Sequence, residues 1–162
     1  MTAAERNKQT IADLYAAFGR CDGDGMAVCY RDDAVFEDPA FGELAPGEAV
    51  EMWRMLTERA TDLQITLVDH DAGERTGSAH WLADYTFQTG RKVHNDVEAA
   101  FRFDDAGLIA DHRDSFSLNS WSRQALGLPG LLLGWSPLIR VVVQKKALAG
   151  LREYQAGKPS GA

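Results

Sequence analysis

The sequence predicts an α+β protein, with helices in its first third and antiparallel strands after them. Apolar residues recur with a helical period of three to four up to about residue 60, and from Leu63 onwards they alternate with the strand period of two. Turn signals such as Thr89-Gly90 separate the alternating runs. This order is typical of helices packed on one face of a curved, mostly antiparallel sheet.

Three helices are predicted in the first third of the chain. Thr2 and Glu5 fit a capping box at the start of the first helix, and Gly19 lies where that helix ends. A short second helix is expected over residues 24–30. A third helix follows Pro46-Gly47 and carries one apolar stripe, formed by Val50, Trp53, Leu56 and Ala60.

One short strand precedes the third helix, and four strands follow it. The early strand covers residues 34–36 and ends at Pro39, which cannot donate a hydrogen bond to a sheet. Alternating apolar residues mark the later strands, which we expect at residues 63–67, 81–87, 97–103 and 108–116.

Composition excludes several classes of function. With 162 residues, of which 45% are hydrophobic, the chain is long enough for one domain with a real core. The net charge of −7 and the absence of a basic cluster argue against nucleic acid as a partner. The N-terminal residues are polar and the two cysteines have no evident pairing, which predicts a cytoplasmic protein. The four histidines lack metal-ligand spacing, and we expect neither a metal nor an organic cofactor.

Asp38 is the first candidate for a functional residue, because it ends the short strand directly before Pro39. Strand ends that open into loops are positions where a fold can direct a side chain into a cavity. Near Phe36 and Phe41 a carboxyl group would be partly desolvated, and its pKa would rise towards the range useful for proton transfer. The alternative is that Asp38 and Pro39 only form a turn.

Residues 30–39 (YRDDAVFEDP) and 101–109 (FRFDDAGLI), together with the order of elements, resemble the nuclear transport factor 2-like superfamily. This superfamily includes the ketosteroid isomerases and the SnoaL-like polyketide cyclases. The resemblance covers roughly residues 5–126 and implies a cone-shaped domain over residues 1–127. Functions within the superfamily are broad, so the fold by itself implies little about the reaction.

By this resemblance Asp38 corresponds to the general base of the isomerases. The donors that stabilise the oxyanion of the isomerase reaction do not correspond, because Leu14 and Ala99 stand at their positions. Tyr15 is one residue from the tyrosine position, a rotation of about 100° on a helix, and is the reserve candidate for a catalytic donor. Ketosteroid isomerase activity is therefore not expected.

His112 and Asp114 form a second candidate site, because they alternate on the last predicted strand and share one face. The resemblance places that face towards the cavity. We expect Asp38 to be the base, His112 the acid or its relay partner, and Asp114 the group that orients His112. The alternative is a solvated edge strand over residues 111–114. The apolar wall of the site is expected from Phe18, Tyr30, Phe36, Trp53, Leu56, Phe101 and Phe116.

His80 and Asp84 are candidate substrate-binding residues with two possible orientations. The match through the Thr89-Gly90 turn places them on the face of the cavity, whereas the apolar alternation that includes Trp81 and Tyr85 places them on the opposite face. A bulge would reconcile the two. Because aromatic residues on one face of the central strands would leave an exposed apolar patch, we expect a homodimer through the outer face of the sheet.

Residues 128–162 extend beyond the resemblance. Their apolar runs are interrupted by Pro129, Pro137 and Arg140, so no span approaches the roughly 20 residues that a membrane helix needs, and stable membrane insertion is not expected. We expect an apolar loop and a helix from Pro137 to Tyr154, packed on the same domain or on a partner subunit. A lid over the site and a membrane-surface segment are the alternatives.

Two classes of function remain open at this point. One is a cofactor-independent enzyme performing acid–base chemistry on an apolar cyclic small molecule, as an isomerase, cyclase, dehydratase or hydrolase. The other is a ligand-binding or interaction protein of the same fold without catalysis. A buried Asp38 with a raised pKa favours the enzyme, whereas a cavity filled by apolar side chains favours the binding protein.

Overall fold

The computed structural model describes residues 1–157 and confirms the α+β prediction. The helices are α1 (Ala3–Gly19), α2 (Gly23–Ala27), α3 (Glu48–Arg59), α4 (Leu118–Leu126), α5 (Leu128–Leu133) and α6 (Pro137–Ala156). The strands are β1 (Tyr30–Asp38), β2 (Gly42–Glu43), β3 (Gln64–Ala72), β4 (Thr76–Thr86), β5 (Lys92–Phe103) and β6 (Ile109–Ser115). Residues 158–162, the end of the predicted C-terminal segment, lie outside the described part of the chain.

The strands form one mixed sheet in the order β2-β1-β6-β5-β4-β3. All neighbouring pairs are antiparallel except β1 and β6, which run parallel. The parallel pair places Phe36 of β1 beside His112 of β6, and β5 places Phe101 on the other side of His112. His112 therefore lies at the centre of the three strands that carry the candidate site.

The N-terminal helices begin and end largely as predicted. The Thr2 hydroxyl accepts a hydrogen bond from the Glu5 backbone N–H, and the Glu5 carboxylate accepts one from the Thr2 backbone N–H, so the capping box is confirmed. The second helix is shorter than predicted, because Tyr30 belongs to β1 and pairs with Ile109 of β6. Pairing with the sheet takes precedence over the local helical pattern there.

The core lies between the helices and the inner face of the sheet, and this arrangement corrects one expectation. Trp81, which was expected to contribute to an exposed apolar patch on the outer face, is buried under the helices. Alternate residues of β5 and β6, such as Arg102 and Arg113, occupy the outer face instead. The alternation identifies which residues share a face, but not which face the helices cover. Dimerisation itself stays a prediction.

The C-terminal helices extend the core at the end of the sheet near Asp38. A second apolar cluster contains Val93, Leu118, Trp121, Ala125, Ile139 and Val143, and it meets the main core at Ala40, Tyr85 and Phe116. Further along α6, Leu151 is buried in the main core. Within residues 1–157, each helix is too short or too polar to cross a membrane.

Candidate functional site

A chain of hydrogen bonds runs through the interior from α3 to β6. The indole Nε1–H of Trp53 donates to the hydroxyl oxygen of Tyr30 over 2.9 Å. The Tyr30 hydroxyl lies 2.7 Å from Nδ1 of His112, and Nε2 of His112 lies 2.8 Å from Oδ1 of Asp114. All four residues are buried, and His112 has no exposed surface at all.

The proton positions in this chain follow from its donors and acceptors. Because Tyr30 already accepts the hydrogen of Trp53, its own proton is free to be donated to Nδ1 of His112. The imidazole hydrogen then resides on Nε2 and is donated to Asp114. This arrangement of hydrogens satisfies each of these buried groups. Both ring nitrogens of His112 are thus used within the protein.

Asp38 is the last residue of β1, directly before the turn at Pro39 and Ala40. Its Oδ1 accepts hydrogen bonds from the backbone N–H groups of Ala40, over 2.9 Å, and Phe41, over 2.5 Å. The residue is only partly exposed, and burial raises the pKa of its carboxyl group to about 7. The hydrogen bond from Phe41 lowers this pKa, whereas the negative charge of Asp114 acts in the same direction as burial. Asp38 therefore stabilises the turn through its hydrogen bonds and also carries a carboxyl group with a raised pKa.

Tyr85 and Trp121 complete the site on the side of the C-terminal helices. The Tyr85 hydroxyl accepts a hydrogen bond of 2.8 Å from the indole N–H of Trp121. Burial raises the pKa of Tyr85, and the charge of Asp38 contributes to the same shift. Neither residue was predicted. The alternation of β4 contained a signal for Tyr85, whereas Trp121 lies near the C-terminal end of the resemblance, after the last predicted strand.

Tyr15, the reserve donor, lies in the core without a hydrogen bond. Its hydroxyl and the indole N–H of Trp81 are side by side without reaching hydrogen-bond geometry, and neither has another partner within residues 1–157. Burial raises the pKa of Tyr15 well above its ordinary value, and the negative charge of Asp114 adds to the shift. Tyr15 therefore forms no hydrogen bond with Asp114.

The predicted apolar wall comes together around His112. The ring of Phe101 lies 4.4 Å from the imidazole, that of Phe36 5.1 Å and that of Trp53 5.9 Å, between ring centroids. The remaining members of the wall, Phe18, Tyr30, Leu56 and Phe116, belong to the same core cluster. Aromatic rings therefore occupy much of the space beside the imidazole.

His80 and Asp84 lie on the opposite face of the sheet from this site. β4 and β5 pair in unbroken register from residue 76 to residue 86, so no bulge turns these side chains inwards. His80 lies 2.8 Å from Asp96, and His94 lies 2.7 Å from Asp84. The structure thus follows the apolar alternation and not the match through the turn, and these residues do not line the interior with Asp38.

The described part of the chain contains no group of three or more His, Cys, Asp or Glu side chains placed to hold a metal ion. Two surface grooves of about 710 and 380 Å³ are present. Asp38, His112 and Asp114 line neither of them.

The chain belongs to the family of SnoaL-like domains, whose family model matches residues 11–112. The matched segment contains Asp38 and His112 and ends before Asp114. A search of curated proteins gives no match.

Solved structures show the same fold at low sequence identity. An LEH-like epoxide hydrolase of M. tuberculosis is 20% identical, with a TM-score of 0.63 over 86% of this chain and 97% of that protein. A ketosteroid isomerase-like protein from Catenulispora acidiphila is 17% identical, with a TM-score of 0.63 over 79% of this chain and 97% of that one. SalBIII, an epoxide hydrolase/cyclase-like enzyme of pyran ring formation in salinomycin, is 17% identical, with a TM-score of 0.61 over 72% and 94%. The nuclear transport factor 2-like fold is thereby confirmed.

Proposed function

We propose that this protein is a cofactor-independent acid–base enzyme that opens or closes an oxygen-containing ring in an apolar small molecule. The observation that carries the proposal is the pair of carboxyl groups, Asp38 and Asp114. Asp38, with a pKa of about 7, retains a proton on a large fraction of molecules near neutral pH, and after burial the negative charge of Asp114 contributes to this shift. Two carboxyl groups in different protonation states are the requirement for simultaneous acid and base catalysis.

An epoxide illustrates how the two groups would act together. The Asp114 carboxylate takes a proton from water, or from a hydroxyl group of the substrate, while that oxygen forms a bond to an epoxide carbon. The carbon–oxygen bond of the epoxide breaks, and its oxygen takes the proton of Asp38. Transfer of one proton from Asp114 to Asp38 then restores both groups. Hydrolysis and cyclisation differ only in the source of the attacking oxygen.

These roles differ from those predicted from the sequence. There Asp38 is the base, as the resemblance implies, and His112 is the acid or its relay partner. In the proposal Asp38 is the acid and Asp114 the base, because His112 has both nitrogens bonded within the protein and no exposed surface. His112 is then a positioning residue that holds Asp114.

The arrangement also favours ring opening over enolate chemistry. Stabilising an enolate needs donors directed at its oxygen, and Leu14 and Ala99 at the corresponding positions are apolar and buried. The Tyr30 hydroxyl, a nearby donor, is engaged by His112. A protonated Asp38 can supply a proton to an epoxide oxygen without any further donor.

The test is turnover of cyclohexene oxide to its diol by the full chain, measured by gas chromatography between pH 5 and 9. We expect kcat to fall as the pH rises through about 7, since Asp38 must be protonated. Asp38→Asn and Asp114→Asn should each reduce turnover by roughly 10²–10⁴-fold. Asp96→Asn, which alters an exposed aspartate on the outer face, is the matched control and should keep wild-type turnover.

An activity that instead rises through pH 7 would restore Asp38 to the role of base. Wild-type turnover in both inner variants, with folding verified by circular dichroism, would refute the acid–base proposal.

A non-catalytic ligand-binding protein is the second candidate, because the aromatic rings packed around His112 are also typical of a filled interior. It predicts that cyclohexene oxide and its diol bind, by isothermal titration calorimetry, without conversion of either. Conversion of the epoxide at a rate that depends on Asp38 would eliminate this candidate.

A further inference from the structure

The largest group of exposed apolar side chains lies in the C-terminal segment. We define the C-terminal apolar surface as the exposed residues Leu128, Leu131, Leu132, Leu133, Trp135, Leu138, Val141 and Val142. In the rest of the described chain only Met1, Val28 and Val68 are large hydrophobic residues with comparable exposure. Contiguous exposed apolar surface of this kind marks an interaction site more often than isolated exposed side chains do.

The leucines of α5 are exposed because the helix packs against α4 through glycine residues. Gly130 is buried against α4, and a Cβ atom at this position would lie 1.9 Å from the carbonyl oxygen of Ser122. A Cβ atom at Gly134 would lie 2.7 Å from Asn119 and 2.8 Å from the Ser122 hydroxyl. The helix thus contacts the protein with its glycines, and its leucines face solvent.

α6 continues this surface because its first half is apolar on two faces. Ile139 and Val143 are buried in the cluster with Trp121, whereas Leu138 and Val142 on the other face are exposed. A surface helix usually carries a single apolar stripe, which faces the core. The described chain covers only one of the two apolar faces of α6.

Trp135, between the two helices, is 78% exposed. Its indole N–H donates to the carbonyl oxygen of Leu132 over 3.0 Å. The ring can therefore enter an apolar medium without leaving its N–H group unpaired. Tryptophan is the residue type that membrane–water interfaces enrich.

The charge of this region is opposite to that of the whole protein. Residues 115–152 contain five Arg and Lys residues and no Asp or Glu, although the net charge of the chain is −7. Arg123, Arg140, Lys145 and Lys146 are exposed and form no ion pair within residues 1–157. The groove of about 710 Å³ beside α5 combines cations with leucines, being lined by Arg91, Lys92, Arg123, Leu128 and Leu131 among others.

We propose that the C-terminal apolar surface docks the protein on the surface of an anionic phospholipid bilayer. The leucines, valines and Trp135 enter the interfacial region, and the flanking cations contact lipid phosphates. A second copy of the chain is a poorer occupant, because two-fold pairing of this surface would bring the same unpaired cations face to face. The contact is peripheral, since Ile139, Val143 and Leu151 anchor α6 in the protein.

The test is co-sedimentation of the full chain with vesicles of phosphatidylcholine alone and of phosphatidylcholine with 30% phosphatidylglycerol. We expect binding to the anionic vesicles that weakens as salt is added, and little binding to the neutral ones. Lys145→Gln and Lys146→Gln should each weaken binding by roughly fivefold. Leu132→Ala with Trp135→Ala should weaken it by at least about tenfold.

Val28→Ala and Lys8→Gln are the matched controls, because they remove an exposed apolar group and an exposed cation from another part of the surface. They should bind as the wild type does. Equal binding to neutral and anionic vesicles, equal binding of all variants, or no binding to either vesicle would overturn the proposal. So would dimerisation in buffer that Leu132→Ala abolishes, because the occupant would then be a second copy. Epoxide turnover does not enter any of these outcomes.

Discussion

The two faces of the sheet carry the same pair of side chains in opposite surroundings. On the inner face His112 and Asp114 lie 2.8 Å apart, and both side chains are almost completely buried. On the outer face His80 and Asp96 also lie 2.8 Å apart, and His94 and Asp84 2.7 Å, with substantial exposure to solvent. The geometry of a histidine–aspartate pair is therefore nearly constant, and only its access to water differs.

The comparison shows that burial, and not the distance between the two side chains, determines how much such a pair contributes to stability. Water competes for the outer groups, so their pairing has a small effect on stability. The inner pair has no water to replace a lost partner, so its removal is costly and its protons are held in fixed positions.

The largest expected effect concerns the inner histidine. His112→Leu fills the space among the aromatic rings with an apolar side chain but leaves Asp114 buried without its hydrogen-bond donor. The substitution should therefore lower the free energy of unfolding by about 3–5 kcal/mol. His94→Leu, the matched change on the outer face, should alter it by less than about 0.5 kcal/mol. Urea unfolding measures both. Similar losses in the two variants would break the comparison.

The next effect is the pH dependence that Asp38 gives to stability. Its pKa is about 7 in the folded chain against an ordinary value of 3.8, so the folded state binds more protons between these values. The contribution of Asp38 to the free energy of unfolding should therefore fall as the pH rises from 4 to 7. Asp38→Asn removes this contribution and should be more stable than the wild type at pH 8, by at most roughly 4 kcal/mol, and similar to it at pH 4.

Asp62 provides the control of opposite sign. Hydrogen bonds from Lys92 and Thr86 hold the pKa of this exposed carboxyl group below its ordinary value. Asp62→Asn should therefore lose stability relative to the wild type at pH 4.5 and at pH 8 alike, because the contribution of Asp62 disappears only below its ordinary pKa of 3.8. Urea unfolding at pH 4.5 and pH 8 compares both variants. The same direction of change in both would contradict the assigned environment of Asp38.

A smaller effect separates the two buried tyrosines. Tyr30→Phe removes the donor to His112 and the acceptor of the Trp53 indole, leaving both buried without a partner, at a cost of about 1–3 kcal/mol. Tyr15→Phe removes a hydroxyl that forms no hydrogen bond, and should change the free energy of unfolding by less than about 0.5 kcal/mol. Thermal unfolding of the two variants under one buffer gives the ranking. An equal cost would mean that the inner hydrogen-bond chain adds nothing.

The smallest effect is the coupling within an outer pair. A double-mutant cycle with His80→Gln and Asp96→Asn should give an interaction energy of about 0.2–1 kcal/mol that decreases with added salt. A coupling above about 2 kcal/mol would place the outer pair in the same energetic class as the inner one.

The sequence predicted the fold and several members of the site for reasons that are local in the chain. The change of period at Leu63 and the capping box at Thr2 depend on neighbouring residues, and both agree with the elements in the structure. The shared face of His112 and Asp114 needs only the alternation of a strand. The raised pKa of Asp38 was expected from its apolar neighbours, and the structure gives it the same cause.

The remaining features depend on contacts between distant parts of the chain. The bond between Tyr30 and His112 joins residues 82 positions apart, and it depends on a parallel pairing of β1 and β6 whose register shifts between residues 30 and 35. That shift has no signature in the sequence. The side of the sheet that the helices cover is likewise a long-range property. The aromatic face of β4 was expected to be exposed and is buried instead, so it gives no argument for a dimer.

α6 lies between the exposed C-terminal apolar surface and the turn next to Asp38. The inner face of α6 presses on the turn after β1, where the Gln144 amide donates to the carbonyl oxygen of Pro39 over 3.4 Å. This is the turn whose N–H groups hold Asp38, so lifting α6 would admit water and lower the pKa of that carboxyl group. The pKa of Asp38 therefore depends on whether α6 remains packed against this turn. A surface that binds α6 from outside would therefore change the pKa of Asp38 without contacting Asp38 itself.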